Sequence, residues 1–501
     1  MLKNKIIVCL GNGKSDADKK AELVALEYNI KYNGLLDISS IKPGCYHTSV
    51  YDISLSELSD IMSNIKELIV LNQEKELYKS DDDYYSTIQL AKRFENKILV
   101  TFKNVDMRKT IDDDLEKNKS FCILPWIHHF EVDGHLRPCC FANHNANLGK
   151  ADRFVFNNEK RKYLKELMLN QKSIEGYCKN CIDLEKKGHS SPRKEYTRTW
   201  FKKLNLNSIS DIINADIPIL SYDIRRSNLC NLMCRTCNPD ASNLIAQEDQ
   251  ILKIHWSGGE TLSETVGLDY ILNENTFEAI YFAGGEPTFD PKIEEFLKNL
   301  INLNRTDKEI TFNTNAFVLT KKFKNIIRNF SNLRFIVSID GFEQHNDYIR
   351  WGSKWESIIE NLDYLLKNNF FVSINIVVSI YSIMGLPSLL KFLENSKYKL
   401  NFNLSFLIEP RYQSPYLIPN KKLVLKLLKE ITTLNIYKNN IIIYDKINEL
   451  LDYYTNRHNI DYDLLEEFFN FNDTLDKSRN TKLADYIPEL EECRNYLTKQ
   501  I

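Results

Sequence analysis

The stretch SYDIRRSNLCNLMCRTC, residues 221–237, decides how this chain is read. Its first part is strand-like and carries directly into Cys230, Cys234 and Cys237, spaced three and two residues apart. Three thiolates so placed fill three corners of a cubane iron–sulfur cluster and leave the fourth iron open to a small molecule. Catalytic metal sites keep one coordination position free by the same logic. A zinc knuckle would want a fourth Cys or His nearby, and the next candidate in sequence is His255.

Outward from this stretch, residues 216–435 alternate strand-like and amphipathic helical segments. Strands are expected at 217–224, 279–283, 309–313, 333–339, 371–378 and 400–408, with helices at 291–303, 322–330, 355–367 and 386–394. Six consecutive βα units imply a parallel sheet with right-handed crossovers, curved into a partial (β/α)6 TIM-like barrel. Ligand chemistry then belongs at the C-terminal ends of the strands.

The second of these strands reads AIYFAGGEP over 279–287, so Gly284, Gly285, Glu286 and Pro287 end it. Glycines permit close backbone approach. With the cysteine triplet, this resembles the radical S-adenosylmethionine (SAM) superfamily, whose Gly-Gly-Glu-Pro motif holds the amino group of the SAM methionine. The resemblance extends to Thr314 and Asn315 after the third strand, to Ser338, Asp340 and Gly341 after the fourth, and to Arg350. Asn375 and Val377 on the fifth strand would lie near the adenine. Helix capping by Ser338 and Asp340, and a surface role for Arg350, remain alternatives for these residues. The resemblance implies a 4Fe–4S cluster on Cys230, Cys234 and Cys237 with SAM as cosubstrate. It implies reductive cleavage to a 5′-deoxyadenosyl radical, which abstracts hydrogen from a peptide or small-metabolite substrate. An external electron donor such as flavodoxin or ferredoxin would supply the electron.

Eleven cysteines in a chain of 501 residues argue for metal or redox chemistry in a cytosolic protein rather than a disulfide framework. A second group lies upstream, in FCILPWIHHFEVDGHLRPCC at 121–140 and YCKNC at 177–181. This stretch, with few clear strands, resembles the auxiliary-cluster modules called SPASM and twitch. That resemblance assigns Cys122, Cys139, Cys178 and Cys181 to one auxiliary 4Fe–4S cluster, with Cys139 favoured over Cys140 by its spacing from Gly134. Zinc on the same four residues is the alternative. His128, His129 and His144 are read as surface or capping residues. Cys9, Cys45 and Cys493 are isolated, as small buried residues often are.

The expected organisation is therefore a small α/β domain of open role at 1–110, a twitch-like module at 118–200, the partial barrel at 216–435 and a polar helical segment at 440–501. In the first domain, strands are expected at 6–10, 67–71 and 97–102, with helices at 17–28 and 54–65. Its turn at 11–13 reads as a plain strand-to-helix turn; a carrier- or nucleotide-recognition role for the domain is a further possibility. In the last segment, 475–490 resembles tails of twitch-containing radical SAM proteins. A net charge of −2 gives no reason to expect nucleic acid. The uncharged run 368–390 is long enough to span a bilayer, but its Asn375, Gly385 and Pro387 read as strand, loop and helix start, so no membrane is expected. Against the enzyme reading stands a non-catalytic iron–sulfur or zinc binding protein.

Overall fold

The computed structural model describes residues 109–498, apart from 133–134, 144, 150–157, 187–190, 207, 214–216, 255–267, 275 and 397–399, together with five strands between residues 6 and 103. Contacts divide the chain into two compact units, residues 1–114 and 115–501. The first holds β1 (Ile6–Gly11), β2 (Tyr32–Leu35), β3 (Gly44–Ser49), β4 (Glu67–Leu71) and β5 (Leu99–Lys103) in a parallel sheet ordered β2-β3-β1-β4-β5. The sequence marks β1, β4 and β5; β2 and β3 are too polar to stand out. The helices expected at 17–28 and 54–65, and residues 12 and 13 of the glycine turn, lie outside the described residues.

In the second unit, the six expected strands are β8 (Ser221–Arg225), β9 (Ala279–Ala283), β10 (Glu309–Thr314), β11 (Leu333–Ser338), β12 (Phe371–Val378) and β13 (Asn401–Phe406). Neighbours pair in parallel in sequence order. The two faces of this sheet differ because side chains alternate along a strand. On the helix-covered face Phe282, Phe312 and Phe335 occupy paired register positions, their ring centroids 5.5 and 5.4 Å apart. Truncating one such ring to alanine would cost about 3–5 kcal/mol. The opposite face carries Asp223, Tyr281 and Thr311 at one register level and Ser338, Asn375 and Asn403 at another. The helices returning from β8, β9 and β10 begin at caps from Ser242, Asp290 and Thr320.

The sheet is larger than the six expected strands. A hairpin of β6 (His128–Val132) and β7 (His135–Arg137) lies inside the cysteine-rich segment, and β6 pairs in parallel with β8. The result is an open eight-stranded sheet ordered β13-β12-β11-β10-β9-β8-β6-β7. Residues 118–200 thus share a sheet with the barrel strands, and β8, the first barrel strand, is internal. The hairpin escapes the sequence reading because β7 has only three residues.

The uncharged run 368–390 becomes β12 followed by the helix Ser382–Glu394, with Pro387 inside it. Among the described residues no helix is long and apolar enough to cross a membrane. The 440–501 segment joins the main core through Leu450, Phe468, Phe469 and Leu475. Cys493 is buried in that core, as an isolated cysteine should be.

Candidate iron–sulfur and SAM site

Cys230, Cys234 and Cys237 follow β8 on one loop, and all three are half-buried. The loop is held by backbone bonds on two sides. Met233 N–H and Arg235 N–H donate to Trp351 O and Ile349 O, at 2.9 and 2.7 Å. Cys230 N–H donates to Asn243 Oδ1 at 2.8 Å, at the start of the helix Asn243–Leu252. The thiols lie close enough to act on one another. After burial, the charge of Cys234 is the next cause raising both Cys230 and Cys237, and Cys237 is pushed up to about 12. Such thiolates need a compensating cation, which an iron–sulfur cluster supplies.

The Gly-Gly-Glu-Pro stretch lies against the same loop. Gly285 N–H and Glu286 N–H donate to Ser227 O and Leu229 O, at 3.0 and 2.8 Å. A Cβ on Gly285 would lie 2.2 Å from Leu229 O, and Gly284 has φ +114°. The close approach that these glycines permit is to the cysteine loop itself. Glu286 belongs to the same joint. Its carboxylate is buried and accepts from Thr288 N–H and O–H, Thr314 O–H and Asn315 N–H, at 2.6 to 3.1 Å. It ties the end of β9 to the end of β10. Pro287 starts the single turn Pro287–Phe289 that follows.

Asn315 and Arg350 bridge to the cysteines. Asn315 Nδ2 donates to Asn231 Oδ1 at 2.8 Å, inside the cysteine loop. Arg350 reaches Cys234 Sγ at 3.6 Å and Asp340 Oδ2 at 3.3 Å. Asp340 Oδ1 accepts from Val377 N–H at 2.9 Å, which joins β11 to β12. Ser338 and Asn375 are register partners there, and Asn375 accepts from Asn403 at 2.8 Å. Arg350 is therefore half-buried beside Cys234, its side chain 11% exposed, and not a surface cation. Asp340 braces it and caps no helix. Asn231 was missed by the sequence reading, although its place within the triplet is a signal that could have found it.

The upstream cysteines form a second place. Cys122, Cys139, Cys178 and Cys181 line one cavity with Pro125, Pro138, Met168 and Arg193. Its empty space is about 310 Å³, counting the part open to solvent. Each cysteine arrives from a different local structure. Cys122 precedes the short helix Leu124–Ile127, Cys139 follows β7, and Cys178 and Cys181 lie on the helix Glu175–Lys186, which kinks at Cys178. Burial pushes Cys122 up to about 12 and raises the other three. Arg193, held by Glu185 at 2.5 Å, favours the thiolates of Cys122 and Cys181. Four thiols around one cavity suit a 4Fe–4S cluster as a donor set. Among the described residues no three His, Cys, Asp or Glu side chains converge as a single-ion site. No local sequence signal links Arg193 to this cavity, since it is brought there by the chain's return.

Cys140 does not line the cavity. Its thiol lies beside Asp223 of β8 and Arg225, and burial pushes it up to about 12. His128 and His129 are buried strand residues of β6, and His128 Nδ1 lies 3.0 Å from Ser221 Oγ. The surface or capping roles expected for these two are thus replaced by places inside the sheet. His144, Gly134 and His255 lie outside the described residues.

Residues 224–389 match the model of the Radical SAM superfamily. It is similar to molybdenum cofactor biosynthesis protein 1 of Dictyostelium discoideum, 26% identical over 30% of this chain and 22% of that protein. It is also similar to the uncharacterized protein MJ0907 of Methanocaldococcus jannaschii, 28% identical over 44% of this chain and 73% of that one. Among solved structures, SuiB of Streptococcus suis bound to the precursor peptide SuiA aligns at 18% identity and a TM-score of 0.31. That alignment covers 56% of this chain and 62% of SuiB. The chain thus spans about a fifth of the Dictyostelium protein and under two thirds of SuiB.

Proposed function

We propose that the chain is a radical SAM enzyme that reductively cleaves S-adenosylmethionine and abstracts hydrogen from a peptide or small metabolite. One observation carries this reading: three mutually close cysteines on the loop after β8 are bound by backbone to Gly285 and Glu286 at the end of β9. A 4Fe–4S cluster with bound SAM supplies the one-electron cleavage that yields the 5′-deoxyadenosyl radical. The chain's own part is to bind and orient. Cys230, Cys234 and Cys237 hold three irons. The backbone of Gly284–Pro287, with Asn315, faces the methionine end of SAM, while Arg350, braced by Asp340, favours anionic groups beside Cys234. Ser338, Asn375 and Val377 line the adenine side on β11 and β12. The substrate would approach from the polar side of the sheet, on which Ser338 and Asn375 also lie.

In this reading Cys122, Cys139, Cys178 and Cys181 hold an auxiliary cluster, and a flavodoxin or ferredoxin supplies the electron. Anaerobic reduction with SAM tests the proposal. The protein should form 5′-deoxyadenosine, and a Cys230/Cys234/Cys237→Ala variant should form none. A protein that binds iron but makes no deoxyadenosine would instead be the non-catalytic binder. Deuterium transfer from labelled candidate peptides and metabolites into deoxyadenosine would then identify the substrate.

A further inference from the structure

Arg235, between the second and third cysteines, is fully buried and turned away from them toward the C-terminal part of the chain. Its guanidinium stacks on Tyr348, 3.7 Å from the ring centroid. It donates to Asp476 Oδ1 at 2.6 Å, Asn472 Oδ1 at 3.1 Å and Thr481 Oγ1 at 2.9 Å. Asp476 and Asn472 stand one turn apart on the helix Tyr462–Arg479. A second arginine of that helix reaches the same loop. Arg479 donates to Met233 O at 2.9 Å and pairs with Glu248 at 2.6 Å. The residues on both sides of Cys234 are thus gripped from the C-terminal helix.

A buried ion pair adds little net stability over apolar packing, but breaking one leaves a costly uncompensated charge. Its useful effect is to permit one arrangement only. Every polar partner here is satisfied: Asp476 also accepts from Tyr348 O–H at 3.0 Å and Leu483 N–H at 2.8 Å. Such a network fixes a loop more sharply than apolar contacts do.

We propose that Asp476, Asn472 and Arg479 are positioning residues for the three-cysteine loop, setting Cys234 and Cys237 at the spacing the cluster requires. The proposal rests on the radical SAM reading and gives the 440–501 segment a part in it. Outer-shell partners of metal ligands cost about 10–100-fold in affinity or activity when lost.

The test uses the full chain, purified anaerobically, with three variants: Asp476→Asn, Arg479→Gln and Tyr454→Phe. Tyr454 is the control, because its hydroxyl donates to Pro415 O at 2.6 Å in the same region without touching the loop. Circular dichroism and thermal melting report folding. The decisive readout is the change in the electron paramagnetic resonance spectrum of the reduced protein on adding SAM. We expect Asp476→Asn and Arg479→Gln, with native circular dichroism, to need about 10-fold more SAM for the half-maximal change or to lose it. Tyr454→Phe should respond like wild type, and Arg479→Lys should recover part of the response. If Asp476→Asn does not fold, Arg479→Gln decides. A folded clamp variant with the wild-type response overturns the proposal, as does an equal loss in Tyr454→Phe. If wild type itself gives no SAM-dependent change, the radical SAM reading fails rather than the clamp.

Discussion

At the scale of single residues, Cys139 and Cys140 are chemically alike neighbours with different surroundings. Cys139 lines the four-cysteine cavity, while Cys140 lies outside it beside Asp223. Cys139→Ser should therefore lower iron from about eight to about four per chain, and Cys140→Ser should leave it near eight, as cluster stoichiometry requires. Iron and sulfide analysis of the two variants checks this. His345 makes a second case. Burial lowers its pKa to about 4, against the hydrogen bond to Tyr381 O that would raise it. A depressed folded-state pKa leaves stability intact above the unfolded value near 6.5. Below that the unfolded chain binds the proton first, so stability falls as pH drops toward 4, by a few kcal/mol at about 1.4 kcal/mol per pH unit. Urea unfolding between pH 7 and 4 should show this decline, shallower in His345→Gln.

At the scale of elements, the cysteine loop and the end of β9 form one joint. Gly285→Ala would drive a Cβ to 2.2 Å from Leu229 O, so strand end and loop must separate. Overpacking of this kind costs about 1–3 kcal/mol. Gly176→Ala, with nothing within 4 Å of its added Cβ, should be neutral or slightly stabilising. Thermal melts of the two variants compare them directly. The hairpin β6–β7 has its own consequence. Because β6 pairs with β8, the amides of β8 should exchange as slowly as those of β10 and β11, with β13 faster as a free edge. Rapid exchange across β8 would contradict the pairing.

For the whole molecule, the boundary that matters falls at 114/115, since the cysteine module, the barrel strands and the C-terminal helices belong to one compact unit. A chain starting at residue 115 should fold with cooperative melting, because that unit carries its own core. Removing residues 458–501 should not yield a soluble protein, since Phe468, Phe469 and Leu475 are core residues there. Expression and melting of the two truncations test this.

The six barrel strands, the helices between them, the cysteine triplet and the Gly-Gly-Glu-Pro stretch were legible in the sequence. Each is a local pattern: alternation along a strand, helical amphipathicity, or ligands a few residues apart. Three things were decided only by the tertiary structure. The hairpin β6–β7 extends the barrel sheet, Glu286 spends its carboxylate on joining β9 to β10, and Asp476 reaches Arg235 across 241 positions of sequence. The physical reason is common to all three. A buried polar group must find a partner wherever the folded chain brings one, and sequence separation does not limit where that is.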